Sequence, residues 1–261
     1  MIRITRDPTP PAELLAVRAK NLPIAQKHVA AGTLDVKKHL IGYEVAKGEL
    51  HRQQHRKCCY CEKWVQEASF NDLEHFRPKS KYWWLTWEWL NLMFACPNCN
   101  RGEKNDEFPL RPGSPVLLAP PAAAVVELPW LIDPADAQGM DPLDVIAFKR
   151  VGKQWWPYGC NPHGDETVRV LGLARPALLT EYSDWVEDHI IPGVENIMDE
   201  MERGMRNADA VSRVWRGLTR TLFHKRQQYL ALSYHALPLV LDEKKSAWRA
   251  FGLTVPRPPL P

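Results

Sequence analysis

The sequence predicts a mixed α+β fold, mostly α-helical, assembled around one cysteine-stapled segment. Three observations carry that expectation. Two Cys-x-x-Cys pairs, Cys58 with Cys61 and Cys96 with Cys99, bracket the middle of the first half of the chain. Proline then recurs through RPGSPVLLAPPAAAVVELPWLIDPADAQGMDP, too often for a long helix. From Thr167 onward apolar residues recur at helical spacing, with Leu178, Tyr182, Trp185, Val186 and Ile190 forming the first stripe.

The cysteine pairs are the firmest chemistry. A Cys-x-x-Cys turn aims two thiolates at one point, and two such turns complete the tetrahedral sulfur set that Zn²⁺ prefers. The gap from Cys61 to Cys96 is longer than in a compact zinc ribbon, so a sub-structure is inserted between the two knuckles. Disulfides compete as a reading. The first residues, Met1 to Leu15, contain no apolar signal region, which points to a cytoplasmic protein where disulfides are disfavoured. Cys59 adjoins Cys58 and is an alternative ligand. Cys160 is isolated and reads as a small buried hydrophobe.

Length and composition bound the rest. A chain of 261 residues holds one large domain or two small ones. The longest apolar run, Pro115 to Val126, is broken by prolines and too short for a membrane span. Net charge is only +3, but it is unevenly placed. Residues 1–56 carry ten Lys/Arg against five Asp/Glu, whereas residues 57–112 carry eight of each sign. A basic arm beside a neutral module suits phosphate-backbone contact, and a merely solvated positive face fits the charge equally.

In chain order, residues 1–12 are Pro-rich and expected to be extended, followed by a short helix over Ala12–Lys20. A second helix is expected from Asp35 to Arg56, with Thr33 as cap and Val36, Leu40 and Tyr43 inward, although Gly42 and Gly48 weaken it. Short strands are expected at Val116–Leu118 and Val145–Arg150, with Glu127–Asp133 extended. Pro176 suits a helix start, and Pro192-Gly193 should break that helix before Ile197, Met198, Met201 and Met205 continue a stripe. A third helix should cover Asp209–Leu232, its Arg213, Arg216, Arg220 and His224 sharing a basic face that reads as solvated before it reads as a phosphate contact. The tail VPRPPLP reads as extended.

Between the knuckles lie the residues for phosphodiester chemistry. Glu74 offers a hard oxygen ligand and His75 an adjacent imidazole base; neighbours on a strand point to opposite faces, so joint action calls for strain or a bulge. Asn91 lies 16 residues beyond His75, and Asn100 directly follows the second knuckle. Taken singly these are a surface pair, a turn residue and a helix cap. Trp83, Trp84, Trp87 and Trp89 read as core before they read as a base-stacking platform.

The order Glu74-His75, Asn91, Cys96-x-x-Cys99-Asn100 and Lys104 resembles the HNH nucleases. Within them, Lys57–Glu62, Glu74–Lys79, Tyr82–Leu92, Ala95–Arg101 and Phe108–Leu110 look like the PtuB branch, known from Septu and some retron-associated anti-phage defence. The resemblance implies a ββα-metal core, in which His75 on the first strand is the general base and Glu74 the acidic metal ligand. Asn91 matches the middle Asn that orients the base or the intervening loop, and Asn100 the last metal-binding position. It further implies a PtuA-like ATPase partner.

Two departures matter: Asn100 stands where many relatives have His, and Glu74 where many have Asp. Oxygen ligands in place of imidazole favour Mg²⁺ or Mn²⁺ at the catalytic site, beside a structural Zn²⁺ on the cysteines. Arg77, Lys79, Arg101 and Lys104 are the candidate phosphate contacts. DNA is the expected substrate, with RNA, including tRNA, left open, and no membrane is involved. The implied organisation is a basic helical region at 1–56, a zinc-stapled HNH module at 57–112, a Pro-rich loop and short-strand segment at 113–160, a helical region at 161–250 and a Pro-rich tail at 251–261. The alternative from another class is a non-catalytic zinc module that binds nucleic acid or protein.

Overall fold

The computed structural model describes residues 1–68, 71–122, 125–203 and 208–259. The expected fold class is what forms: helices surround two small antiparallel ribbons, β1 (Asp72–His75) with β2 (Leu92–Ala95), and β3 (Ile146–Val151) with β4 (Gln154–Gly159).

The first ribbon is a wall between two hydrophobic cores. Its register pairs Leu73 with Phe94, Glu74 with Met93 and His75 with Leu92. Side chains alternate across a strand. Leu73, Phe94 and Leu92 therefore join the N-terminal core with Leu14, Leu40, Leu50, Trp87 and Trp89. Met93 and Ala95 join the other core, with Tyr60, Phe108, Trp155 and the C-terminal helices. Trp87 and Trp89 are buried, as a core reading requires.

The N-terminal helices depart from the expected pattern. The first, α1 (Ala12–Ala30), runs ten residues past its predicted end and carries Pro23 within it. The expected second helix is in pieces, α2 (Val36–His39), a 3₁₀ turn at Tyr43–Ala46 and α3 (Lys47–Gln53). Gly42 makes the break: it sits at φ 85°, and a Cβ there would meet the Val17 side chain of α1 at 2.9 Å. Asp35, not Thr33, caps α2 by accepting from the Lys37 and Lys38 amides.

In the second half, Val116–Leu118 forms no strand, with Val116 and Leu118 exposed and Leu117 half-buried against the core, while the Val145–Arg150 expectation falls on β3, whose partner β4 went unrecognised. Short α4 (Pro142–Val145) leads into β3, and α5 (Pro162–Val170) follows β4. Next comes α6 (Pro176–Trp185), continuous through a π-helical turn at Val186–Ile190 with α7 (Ile191–Arg203). Pro192 thus does not end the helix; the wider turn before it accommodates the missing amide and the ring. Met205, expected on the same stripe, lies outside the described residues.

The predicted Asp209–Leu232 helix is two, α8 (Ala208–Leu222) and α9 (Leu230–Glu243). The break is stabilised from far away: Glu62, in the first knuckle, accepts from the Leu230 and Ala231 amides at 2.8 and 3.2 Å. No local signal could show this. Cys160, expected buried, is exposed. Among the described residues no helix is long and apolar enough to cross a membrane.

Candidate active site

Cys58, Cys61, Cys96 and Cys99 converge. Their Sγ atoms all lie within 4.8 Å of one another, all four residues are buried, and none is in a disulfide. A tetrahedron with Zn–S bonds of about 2.3 Å has edges of about 3.8 Å. The Cys61–Cys96 separation is 3.8 Å. The donor set therefore fits a structural Zn²⁺, and Cys59, outside the cluster, is not needed as a ligand. Four thiolates around one dication leave excess negative charge, and Arg175 meets it by donating from Nη2 to Cys99 Sγ at 3.5 Å.

The knuckle anchors the first ribbon. Cys59 N donates to Phe94 O, and Gln54 bonds both the amide and the carbonyl of Phe94. Around Cys99, residues Asn98–Lys104 form a π-helical turn, closed by Asn105 N on Asn100 O. Strand β1 and this turn border a cleft of 370 Å³ lined by Asp72, Leu73, Glu74, His75, Lys79, Asn100 and Arg101, among others. Four consecutive β1 residues line it, so the cleft runs along the unpaired edge of that strand. The ribbon is regular and the expected bulge is absent.

His75 is almost fully buried. Its Nε2 lies 3.0 Å from Thr86 O. A carbonyl only accepts, so Nε2 carries the proton and Nδ1 keeps its lone pair. The Tyr43 ring packs edge-on at 4.6 Å and fixes the imidazole plane. Burial pushes the His75 pKa down to about 3, with the Thr86 carbonyl pulling weakly the other way, so the ring is neutral at physiological pH.

Glu74 is braced on its other side. Tyr60 Oη donates to Oε1 at 3.0 Å and Lys104 Nζ sits 2.7 Å from the same oxygen. Burial raises the Glu74 pKa, against the lowering pull of Lys104 and Tyr60. Both partners fall on Oε1, which leaves Oε2 for a cation. With the Asn100 amide at the same cleft, this is a sparse oxygen set of the kind Mg²⁺ accepts while keeping several waters.

Asn91 is a loop staple. Its Oδ1 accepts from Arg77 N at 2.8 Å, and Nδ2 donates to Arg77 O and Leu85 O at 3.0 and 3.2 Å. It thereby closes the loop that presents the Thr86 carbonyl to His75, without touching His75 itself.

The candidate phosphate contacts fare unequally. Arg101 lines the cleft, exposed, in an ion pair with Asp72 at 2.8 Å. Lys79 also lines it, but its ammonium donates to Tyr43 Oη and Leu40 O. Arg77 does not line the cleft; its guanidinium is paired with the buried Glu127 at 2.8 Å. Lys104 is fully buried, donating to His75 O at 3.0 Å as well as pairing with Glu74, and cannot reach a nucleic acid from there. Sequence reasoning missed Tyr43, Tyr60 and Thr86 as supports. Only Tyr60 carried a signal, as the Tyr of the Lys57–Glu62 motif.

Residues 58–106 match the family model described as HNH endonuclease. They form an HNH endonuclease domain. The chain is also similar to two Septu PtuB proteins. One, from Bacillus mycoides (strain KBAB4), is 28% identical over 206 residues, covering 72% of this chain and 68% of the relative. The other, from Bacillus thuringiensis, is 25% identical over 158 residues, covering 60% of this chain and 58% of the relative. No solved structure matches the chain. In the HNH domain the β1–β2 ribbon and the π-helical turn supply the ββα arrangement, with the four cysteines stapling its two ends.

Proposed function

We propose that the protein is a metal-dependent HNH endonuclease, the effector nuclease of an ATPase-coupled anti-phage defence system. The observation that carries the chemistry is the His75 imidazole, held by Thr86 O through Nε2–H with its Nδ1 lone pair kept for the cleft. Fixed orientation, a defined tautomer and a neutral ring suit a general base. Burial that holds the pKa at about 3 makes the free imidazole a weak one, which an incoming phosphate's negative charge would strengthen. The defence role and the PtuA-like ATPase partner rest on similarity to the Septu PtuB proteins.

In the proposed reaction, His75 Nδ1 takes a proton from water as the oxygen attacks the phosphorus, and the bond to the 3′-oxygen breaks. A divalent ion, Mg²⁺ or Mn²⁺, bound by Glu74 and Asn100 would supply positive charge for the phosphate and the departing oxygen. Lys104 and Tyr60 hold the Glu74 carboxylate in place, and Asn91 holds the loop that orients His75. DNA is the expected substrate and RNA the alternative, since a phosphodiester is attacked without reading a base. One observation favours the non-catalytic zinc module instead: the Glu74 charge is already met by Lys104.

Plasmid nicking by the purified chain, with and without a PtuA-like ATPase, decides between them. The nuclease reading expects nicking that needs Mg²⁺ or Mn²⁺, stops with EDTA and disappears in His75→Ala. Nucleic-acid binding with no cleavage under any condition would leave the binding module.

A further inference from the structure

The cleft is poorly charged for holding a polyanion. Its lining has three Lys/Arg against four carboxylates. The positive charge lies elsewhere, in two adjoining hollows of 710 and 580 Å³ that share Arg52 and His55. Together these carry seven Lys/Arg against two carboxylates, Asp7 and Glu62. Glu62 is committed to the Met1 ammonium and the α9 amides.

Two of the cations hold nitrogens with no hydrogen-bond partner among the described residues. Lys57 is 5% exposed, and its buried Nζ has no partner. Arg6 spends Nη1 on Trp89 O and Leu92 O at 2.7 and 2.8 Å, while its buried Nε and Nη2 have none. Nε and Nη2 form the edge of a guanidinium that binds a phosphate through two parallel hydrogen bonds. The Asp133 carboxylate offsets part of the Arg6 charge, but it accepts no hydrogen bond from this edge, and burying such donors unsatisfied costs free energy that an anion would recover. Arg6 is moreover rigid, being tied by both backbone bonds to the segment that enters β2.

From this seat the groove leads to Arg56, Arg226 and Trp64. Both arginines are exposed and make no ion pair among the described residues, and Trp64 leaves 45% of its surface exposed beside them. Cations alternating with an open aromatic face describe a surface that tracks a nucleic-acid strand, with phosphates on the cations and a base on the ring. The groove also lies close to the cleft. Helix α3 contributes Lys47 to the cleft and Arg52 to both hollows, and it is only about 10 Å long. Arg6 bonds Leu92 O, and Leu92 is the register partner of His75.

We propose that this basic groove is a second nucleic-acid site, which grips the strand outside the cleft by seating a phosphate on Arg6 and Lys57 and stacking a base on Trp64. That the strand is the substrate rests on the nuclease reading; that the groove binds a strand does not. The test therefore uses the full chain carrying His75→Ala in EDTA, so that slow residual cleavage cannot consume the probe, and a 5′-fluorescein single-stranded DNA 20-mer read by fluorescence anisotropy.

In that chain, Arg56→Gln with Arg226→Gln is expected to weaken binding by about 10-fold or more and to lower the slope of log affinity against log salt by about 2. Trp64→Ala should weaken it roughly 5- to 100-fold, and Lys57→Met should lower the salt slope by about 1. Zinc content and melting temperature establish that the surface variants fold. Unchanged affinity in both the arginine pair and Trp64→Ala overturns the groove, whatever the wild-type chain cleaves. Displacement of the 20-mer by AMP as effectively as by unlabelled strand also overturns it, since the site would then seat a mononucleotide. Groove-dependent binding by a protein whose wild-type form nicks nothing upholds the groove and removes the nuclease reading alone.

Discussion

The four-cysteine cluster and the cleft beside it are built from the same short stretch of chain but specified in different ways. Each cysteine pair is local: a turn of four residues places two sulfurs, and only the meeting of the two turns needs the fold. His75 is the reverse. Its useful state depends on a carbonyl eleven residues on, an aromatic ring from the N-terminal region and a loop closed by Asn91. A staple can be read from spacing, whereas a base must be read from what surrounds it.

The widest gap between the two should appear on removing a sulfur. Cys96→Ser or Cys99→Ser is expected to release Zn²⁺ and destabilise the chain by several kcal/mol, because structural zinc contributes directly to folding. Metal analysis and a thermal melt check this. Normal melting in both variants would mean that the cluster is not a staple. Cys59→Ser, outside the cluster, should keep its zinc and lose little.

The second test reverses the pattern. His75→Ala should leave zinc content intact while cleavage falls about 10²- to 10⁴-fold, the range for losing a positioned general base. Some stability also goes, on the order of 1–3 kcal/mol, because the Thr86 carbonyl loses its partner. Nicking rates beside zinc content separate the two effects. Cleavage at the wild-type rate would end the proposed mechanism.

The comparison also marks what the sequence could reveal. The fold class, the cysteine cluster and the Trp87 and Trp89 core were legible because spacing and periodicity encode them. Lys104 was misread as a phosphate contact, because nothing local shows that the π-helical turn folds its ammonium back under Glu74. The break between α8 and α9 was invisible because its cap, Glu62, lies 168 residues before Leu230. The positive bias of residues 1–56 was visible, but not that the half-buried Arg6 would hold its Nε and Nη2 edge buried and unbonded, since that depends on the Trp89 and Leu92 carbonyls.

A smaller effect is expected at Asn100. Asn100→Ala removes one proposed ion ligand and no support for His75, so cleavage should fall by about 10- to 100-fold and recover partly as Mg²⁺ or Mn²⁺ is raised. His75→Ala should show no such recovery, since added metal cannot replace a missing proton acceptor. A metal titration of both variants tests the assignment, and identical responses would sink it.

The smallest effect lies in the scaffold, far from both sites. His235, in α9, packs near Phe148 with its buried Nε2 unpartnered. Burial, helped by the nearby Met1 ammonium, pushes its pKa from 6.5 down to about 4. The unfolded chain therefore takes up a proton below about pH 6.5 that the folded chain refuses until about pH 4, and stability drains away across that window. The loss is at most on the order of 1 kcal/mol per pH unit. His235→Phe abolishes the titration, so its stability should fall less steeply than wild type between pH 6.5 and 4. Zinc loss in acid would affect both proteins alike, so the difference between their denaturation curves isolates His235. Parallel curves would place the acid sensitivity of the chain in the cysteine cluster.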